Sequence, residues 1–246
     1  MAYKLLPVTT ADAPGVAEAH IRAFYEDTRW RLSWPGMTLE SIIAGNALRL
    51  PRALISDREV KRHQLAIDSA TGEVVGYARW VLLNVSEDIS SNFWLDTQVK
   101  EATKEEAASY EGQWKQGTDA NGRPLGINPA LRDSGIGAIL EVECNKITAG
   151  QPYLELDHIG TLPSHTRRGV GGLLLESGLK EADAAGLPVF VMAYPHGVGL
   201  YQKHGFELLG TVEADNAKLG GEGLHVTSFL ARKVRGGSSM ESSRAK

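Results

Sequence analysis

Three glycines and two arginines stand directly before an apolar run, and their types and spacing could bind an anion. The stretch "TRRGVGGLLLESG" places Arg167 and Arg168 ahead of Gly169, Gly171 and Gly172. The first N–H groups of a helix have no intrahelical partner and carry the positive end of the helix dipole. Glycine leaves that end open to a phosphate, and an arginine adds charge-assisted hydrogen bonds. The stretch therefore predicts an anion site built mainly from backbone N–H groups.

Two common phosphate-binding motifs do not fit this stretch. A P-loop requires Lys and then Ser or Thr after its last glycine, but Leu173 and Leu174 stand there. A dinucleotide fingerprint requires a third glycine where the chain has Leu174. Taken alone, the glycines are equally consistent with a helix start that packs closely against its neighbours.

A second group of chemically capable residues lies on the preceding segment, "PYLELDHIGTL", which predicts a strand. A carboxyl group on a partly buried strand has a raised pKa, which suits it to accept a proton directly or through water. Strand alternation predicts that Glu155 and Asp157 share one face and that His158 points to the other. Each of these side chains could instead only orient a loop, with water as the proton carrier.

The elements around these residues predict an α/β sheet. After the glycine turn come a helix over 170–185, a buried strand "PVFVMAY", a short helix "VGLYQKHG" and two strands. The order strand, turn, helix, strand requires a crossover connection. Upstream, the patterns predict a strand "YKLLPV", helices over about 11–24 and 38–50, and a hairpin of "HQLAID" and "EVVGYARWVLL".

The segment 84–150 is longer than a hairpin connection requires, and long insertions tend to be functional. It contains a polar helical stretch, a turn "DANGRP", and a helix that we expect to begin at Asn128 and Pro129 and to end near 150. The last residues, 235–246, are expected to form a disordered tail. The remainder, 1–234, is expected to be a single domain.

Composition limits the classes of function. The 246 residues are 42% hydrophobic and 23% charged, which is typical of a soluble globular protein. A net charge of -4 argues against nucleic acid as a partner, and no stretch resembles a signal peptide or a membrane span. Cys144 is the only cysteine, so no internal disulfide is possible, and the histidines show no zinc spacing. We therefore expect a cytoplasmic protein without a metal, a membrane partner or a nucleic-acid partner.

Two signatures together carry a family resemblance. "PSHTRRGVGGLL", 163–174, resembles the acetyl-CoA signature of the GCN5-related N-acetyltransferases, the GNAT superfamily. "LYQKHGF", 200–206, resembles the second signature of that family, and the fuller "PHGVGLYQKHGF" resembles acetyltransferases of a type abundant in fungi. The resemblance implies a mixed, mostly antiparallel central sheet flanked by helices, with 84–150 as a long insertion before the fourth strand.

The resemblance implies acetyl-CoA as the cofactor. Its pyrophosphate is expected on the N–H groups of the glycine turn, and its pantetheine arm in a splay beside the fourth strand. Thr166 departs from the family, which usually has Gln or Arg there; that side chain frames the turn, whereas the N–H groups bind. The implied cofactor-binding residues are Ile159, Gly160, Thr161, Leu162, Thr166, Arg167, Arg168, Gly169, Val170, Gly171, Gly172 and Tyr201.

The resemblance also implies catalytic roles. Tyr201 is the implied acid for the departing thiolate, because a phenol with a pKa near 10 stays protonated at neutral pH; the alternative is a tyrosine that only packs. Glu155 stands at the offset of the catalytic Glu of histone-modifying members, and Asp157, His158 and water remain alternatives as the base. Direct acetyl transfer in a ternary complex is the expected mechanism.

The acceptor is expected to be an amine. Glu26 and Asp27 could attract a cationic amine, while Tyr25, Trp30 and Trp34 offer apolar surface, and the insertion could cover the site. A small-molecule amine is the first expectation, and a protein N-terminus or lysine is the second. A non-catalytic acyl-CoA-binding protein is the alternative of another class. Monomer and homodimer both remain open.

Overall fold

A seven-stranded sheet forms the centre of the protein, for which a computed structural model describes residues 2–235. The strand order is β1-β2-β3-β4-β5-β7-β6, and only the β4–β5 pair is parallel. This confirms the predicted mixed, mostly antiparallel sheet. The strands are β1 (Tyr3–Pro7), β2 (Lys61–Asp68), β3 (Val74–Leu83), β4 (Tyr153–Thr161), β5 (Val189–Ala193), β6 (Glu207–Asp215) and β7 (Leu224–Arg232).

Helices flank this sheet, and two of them differ from the sequence expectation. The predicted helix over 38–50 runs on to Leu54 with Pro51 inside it, because Leu50, Pro51 and Leu54 are buried and their packing offsets the missing N–H. The predicted helix after Pro129 is broken at Gly135, whose φ of +71° starts a new helix. The helices are α1 (Ala13–Tyr25), α2 (Thr28–Arg31), α3 (Leu39–Leu54), α4 (Glu87–Ser90), α5 (Lys104–Gln116), α6 (Ala130–Asp133), α7 (Ile136–Thr148), α8 (Val170–Ala184) and α9 (Val198–Lys203).

The sheet carries a hydrophobic core on each face. On one face α8 packs against β3 and β4, with Trp80, Leu174 and Leu175 fully buried. Helix α8 lies so close that a Cβ on Gly178 would stand 2.1 Å from the Trp80 ring. On the other face α1 packs on β3 and β4, α3 packs on α1, and Tyr77 is buried in the core that includes residues of both helices. The two cores fix β3 and β4 from both sides.

The insertion packs around the edge of this frame. Helix α5 lies on α3, where Arg52 donates to Glu111 at 2.6 Å and its guanidinium lies 4.3 Å from the Trp114 ring centre. Nδ2 of Asn128 donates to the carbonyl oxygens of Leu32 and Leu219, at 2.9 and 3.2 Å. The insertion therefore braces the loop between α2 and α3 and the turn before β7.

Two further expectations concern the ends of the chain and the membrane. The predicted tail over 235–246 lies outside the described residues, apart from Arg235. Over residues 2–235, none of the helices combines the length and the apolar character needed to cross a membrane.

Strands β4 and β5 separate along their length. They pair only through Leu154 with Val189 and Glu155 with Phe190. Beyond these pairs each strand continues without the other as a neighbour, which opens a cleft in the middle of the sheet. The predicted splay beside the fourth strand is therefore present in the fold.

Candidate active site

A cavity of about 740 Å³ fills the opening between β4 and β5. Its walls come from α1, from the separated halves of the two strands, from the glycine turn before α8 and from α9. The lining residues predicted for the cofactor or for proton transfer are Asp157, His158, Ile159, Gly160, Thr161, Thr166, Arg167, Gly169, Val170, Gly171, Gly172 and Tyr201. The structure thus brings most of the predicted cofactor site together around one cavity.

The glycine turn lines this cavity, and its N–H groups have no backbone partner within residues 2–235. Gly169 precedes the first residue of α8 and has a φ of +89°, a conformation that favours glycine. The first N–H bonded back within the helix is that of Leu173, to the Gly169 carbonyl at 2.9 Å. A Cβ at Gly169 or Gly172 would meet no atom within 4 Å. The helix start is therefore open, and its donors and dipole fit the pyrophosphate of acetyl-CoA.

Side chains behind the turn hold it in place. The phenol of Tyr3 on β1 lies 2.9 Å from Nδ1 of the buried His165. The Thr166 hydroxyl donates to the Pro163 carbonyl at 2.9 Å, so the residue that departs from the family closes its own turn. His165 was not singled out in the sequence, because its partner lies at the far end of the chain.

Two predicted cofactor residues lie outside the cavity lining. Leu162 is buried, and its N–H already donates to the Val75 carbonyl at 2.9 Å, so it cannot supply a donor to the cofactor. Arg168 is exposed and does not line the cavity, whereas Arg167 does. Of the two arginines, Arg167 is therefore the one placed to meet a phosphate.

Tyr201 on α9 lines the cavity together with residues of β4 and β5. Its ring is buried, 4% exposed, and packs on Phe206 with 5.6 Å between ring centres. Within residues 2–235 its hydroxyl makes no hydrogen bond, which leaves the proton available to a group in the cavity. Burial raises the pKa of this phenol further above its usual value, so it stays protonated at neutral pH.

A bulge in β4 corrects the predicted orientation of His158. On β3 Arg79 and Trp80 are adjacent, but their partners on β4 are His158 and Leu156, so Asp157 is the extra residue. The register change means that Glu155 and His158 face the same side of the sheet, as do their partners Val81 and Arg79. The expectation that His158 points away from Glu155 was wrong because simple alternation ignores the extra residue.

The two candidate carboxyl groups have different surroundings. Glu155 is 9% exposed and lies next to the cavity without lining it; burial and the nearby Asp157 raise its pKa to about 7, against the effect of Arg79. Asp157 lines the cavity, and its carboxylate accepts a hydrogen bond from Arg79. One carboxyl group therefore has a pKa suited to a base at neutral pH, and the other is exposed to the cavity.

Two histidines meet on the α1 side of the cavity. The rings of His20 and His158 lie 4.0 Å apart, and Nε2 of His158 is buried without a hydrogen-bond partner among the described residues. Burial and the charge of Arg79 lower the pKa of His158 to about 3, and burial lowers that of His20 as well. Both rings are therefore neutral at physiological pH. His20 was missed, although it stands four residues before Phe24 on the same face of α1.

A second cavity of about 490 Å³ opens beside the first and shares Ala23 and His196 with it. Its polar walls come from the turn into α2, the turn after β5, the segment between β6 and β7, and the first residues of β7. The polar and charged residues of this wall are Glu26, Asp27, Thr28, Arg29, His196, Asn216 and His225. Because they come from four separate segments, sequence patterns identified only Glu26 and Asp27.

The predicted acceptor residues divide between the cavities and the outer surface. Glu26 lines the second cavity and Trp30 lines the first. Tyr25 and Trp34 line neither cavity, but they flank Trp30 at ring-centre distances of 6.4 and 5.9 Å. Among the described residues, none of 84–150 lines either cavity. Asn128 of the insertion bonds to Leu32 and Leu219, neither of which lines either of the two cavities.

The splayed β4–β5 pair, the open glycine turn before α8 and the buried Tyr201 lie around one cavity whose donors suit a coenzyme A thioester. Comparison with known proteins gives the class of the protein. The sequence model of the Acetyltransferase (GNAT) family matches residues 25–206, and the chain belongs to this family. It is an acyltransferase, and acetyl-CoA is its cofactor.

Solved structures show the same fold at low sequence identity. A histone acetyltransferase HPA2 and related acetyltransferase from Corynebacterium glutamicum is 20% identical with a TM-score of 0.54, covering 95% of this chain and 97% of its own. A phosphinothricin acetyltransferase from Sinorhizobium meliloti, in complex with acetyl-CoA, is 16% identical with a TM-score of 0.51, covering 100% and 95%. A mosquito arylalkylamine N-acetyltransferase like 5b is 13% identical with a TM-score of 0.53, covering 94% and 99%. No curated protein sequence matches the chain.

Proposed function

We propose that this protein is an N-acetyltransferase that transfers the acetyl group of acetyl-CoA to the primary amine of a small molecule. The observation that carries the proposal is the junction of the two cavities at Ala23 and His196. A cleft suited to the cofactor thereby meets a polar cavity suited to an acceptor. This arrangement supports direct transfer while both substrates are bound.

The cofactor supplies a thioester whose sulfur leaves as a thiolate. Tyr201 is the proposed acid, because the residue lines the cavity, its hydroxyl has no hydrogen-bond partner among the described residues, and it remains protonated. Its ring is held by Phe206, so the hydroxyl is presented in one orientation. The open N–H groups of Gly171 and Gly172, with Arg167, are proposed to hold the pyrophosphate.

The proposed base is Glu155, which takes the amine proton through water. Its pKa of about 7 means that a useful fraction is ionised at neutral pH. Because Glu155 does not line the cavity, a water beside Asp157 would connect it to the amine. Asp157 is the second candidate, since it lines the cavity directly, although Arg79 already occupies its carboxylate. His158 is the third, because its low pKa makes it a weak base.

The size and charge of the second cavity favour a small acceptor over a protein. About 490 Å³ admits a small molecule or one extended side chain, and Glu26 and Asp27 on its wall favour an amine that arrives as a cation. The single cysteine supports a cytoplasmic location. A protein N-terminus or lysine is the second candidate acceptor. A non-catalytic acyl-CoA-binding protein is the alternative of another class.

A panel of amines with acetyl-CoA tests the proposal. The panel includes arylalkylamines, amino acids, aminoglycosides, polyamines and peptides with free N-termini, and the measurement is amine-dependent release of free thiol. We expect release with small amines and confirmation of the acetylated product by mass spectrometry. Binding of acetyl-CoA without amine-dependent release from any member would favour the non-catalytic alternative, and release only with peptides would favour the protein acceptor.

A further inference from the structure

One side chain in the second cavity has a charge that the proposed amine site does not explain. Arg29 on α2 is 6% exposed and lines this cavity together with Glu26 and Asp27. A guanidinium is always charged in proteins, and a buried charge is costly without a counter-charge. The surroundings of Arg29 therefore indicate the charge of the ligand that this cavity binds.

The protein supplies hydrogen-bond partners for only part of the Arg29 guanidinium. Nη1 donates to Oδ1 of the buried Asn216 at 3.2 Å, and an amide is a neutral partner. Within residues 2–235 no carboxylate oxygen lies within 4.0 Å of the guanidinium nitrogens. The remaining nitrogens are not sealed inside the protein, since Arg29 lines the cavity. The guanidinium thus keeps donors for a group that enters the cavity.

The nearby carboxylate does not neutralise Arg29, although it is two residues away. Oδ1 of Asp27 accepts from the Trp30 N–H at 2.9 Å and caps α2, which holds the carboxylate at the start of the helix. Asn216 is held as well, because its Nδ2 donates to the Glu222 carbonyl at 3.2 Å. The cavity wall therefore carries negative charge at Glu26 and at the held carboxylate of Asp27, and positive charge at Arg29, which Asn216 holds.

We infer that the acceptor carries an anionic group, in the first instance a carboxylate, and that Arg29 binds it while the amine faces the cofactor cleft. The inference rests on the proposed function and names its substrate class: a small amino acid or a related amine with a negative charge. Guanidinium and carboxylate match in geometry and form charge-assisted hydrogen bonds. Arg29 is then a specificity-determining residue with no part in proton transfer.

Matched acceptors test the inference on the unaltered protein. Each common α-amino acid, together with β-alanine, is compared with its carboxamide and with the amine that lacks the carboxyl group. We expect kcat/KM for the preferred acid to exceed that for its amide by roughly ten- to a hundredfold, the range for a hydrogen bond between charged groups. Equal or better turnover of the amides or uncharged amines would overturn the inference while leaving the proposed function intact.

Substitutions then assign the preference to Arg29. Arg29→Gln should remove the preference for the acid by raising its KM, with little change for the amide, and Arg29→Lys should restore part of it. Arg31→Gln is the matched control, since Arg31 lies on the same helix and is exposed. An acid preference that survives Arg29→Gln, with acetyl-CoA affinity retained as the check of folding, would overturn the assignment.

A binding measurement covers the case in which no amine of the panel is acetylated, which would contradict the proposed function. The probes are N-acetyl-L-phenylalanine, N-acetyl-β-alanine and their amides, titrated by calorimetry into protein saturated with coenzyme A. Binding of an acid that exceeds its amide and disappears in Arg29→Gln supports the anion site. Equal binding of the acids and their amides contradicts the anion site, and so does the absence of binding by both.

Discussion

Arg79 on β3 donates a hydrogen bond to the carboxylate of Asp157, the extra residue of the bulge in β4. This ion pair stands beside Glu155 and affects its pKa in both directions: Asp157 raises the pKa and Arg79 lowers it. The bulge therefore sets the charge environment of the proposed base. Substitutions of Asp157 and of Arg79 should therefore shift the pKa of Glu155 in opposite directions.

The first prediction concerns this pair. Asp157→Asn should lower the pKa of Glu155 and move the acidic limb of the kcat/KM–pH profile below its expected midpoint of about 7. Arg79→Met should raise that pKa and move the limb upward. The measurement is the pH dependence of kcat/KM with the acceptor found in the amine panel. If Asp157→Asn instead abolishes activity at every pH, Asp157 is the base.

The second prediction concerns Glu155 itself. Its pKa of about 7 predicts that wild-type kcat/KM rises as pH increases through 7, because the ionised form is the base. Glu155→Gln should remove this limb, leaving only the rise due to ionisation of the amine at higher pH. An unchanged profile would show that Glu155 is structural.

The same substitution should affect stability with a definite sign. The pKa of Glu155 rises from 4.5 to about 7 on folding, so between these values the native state binds more protons than the unfolded state. Stability is therefore lost as pH rises through this window. Glu155→Gln should increase the free energy of unfolding at pH 8 by on the order of 2–3 kcal/mol, with little gain near pH 4. Urea denaturation at the two pH values checks this, and equal effects at both would contradict the raised pKa.

The third prediction concerns the cofactor turn. Gly171→Asp places a negative charge beside the open N–H groups at the start of α8, and its Cβ makes only ordinary contact, 3.5 Å from Leu200. Acetyl-CoA affinity should fall at least about tenfold, because the charge repels the pyrophosphate and competes for the N–H groups. Gly112→Asp, on the exposed face of α5, is the control with the same added charge. Calorimetric titration of acetyl-CoA measures both; similar affinities would place the pyrophosphate elsewhere.

The fourth prediction concerns Tyr201. Tyr201→Phe keeps the ring and its packing on Phe206 and removes only the hydroxyl. Loss of a positioned acid costs about 10²–10⁴-fold in rate, so kcat should fall by that factor with little change in acetyl-CoA affinity. Steady-state rates and cofactor titration separate the two quantities. Near-normal kcat in this variant would reduce Tyr201 to a packing residue.

The fifth prediction concerns the packing of α8 on β3 and uses one substitution at two helical glycines. Gly178→Ala would bring a Cβ within 2.1 Å of Trp80 and should destabilise the protein by about 1–3 kcal/mol or more. Gly112→Ala adds its methyl group in open space and should stabilise by up to about 1 kcal/mol. Thermal unfolding measures both. A tolerated Gly178→Ala would contradict the close approach of α8 to the sheet.

The sequence was sufficient for features that depend on short stretches of chain. The strand, glycine turn and helix from Tyr153 to Ala184 were predicted almost to the residue, because the apolar runs and helix-end signals are local. The two signatures also placed Tyr201 and the glycine turn around one cavity. Such features can be predicted without knowing which distant segments pack against them.

The remaining features depend on contacts between distant segments. The bulge at Asp157 follows from the register between β3 and β4, which alternation within β4 cannot reveal. Arg29, Asn216 and His225 meet only because α2, β7 and the segment between β6 and β7 converge on one cavity. Pro51 was expected to end α3, but burial of the following turn outweighed the local signal. Specificity was therefore harder to predict than cofactor binding.

The most direct test of the central claim is two-substrate kinetics with acetyl-CoA and the preferred amine. Direct transfer across the junction of the two cavities requires both substrates to be bound at once. Double-reciprocal plots of the initial rate at several amine concentrations should therefore intersect, and acetylated amine should form in step with free coenzyme A. Parallel lines, or thiol release that does not depend on amine, would contradict the account.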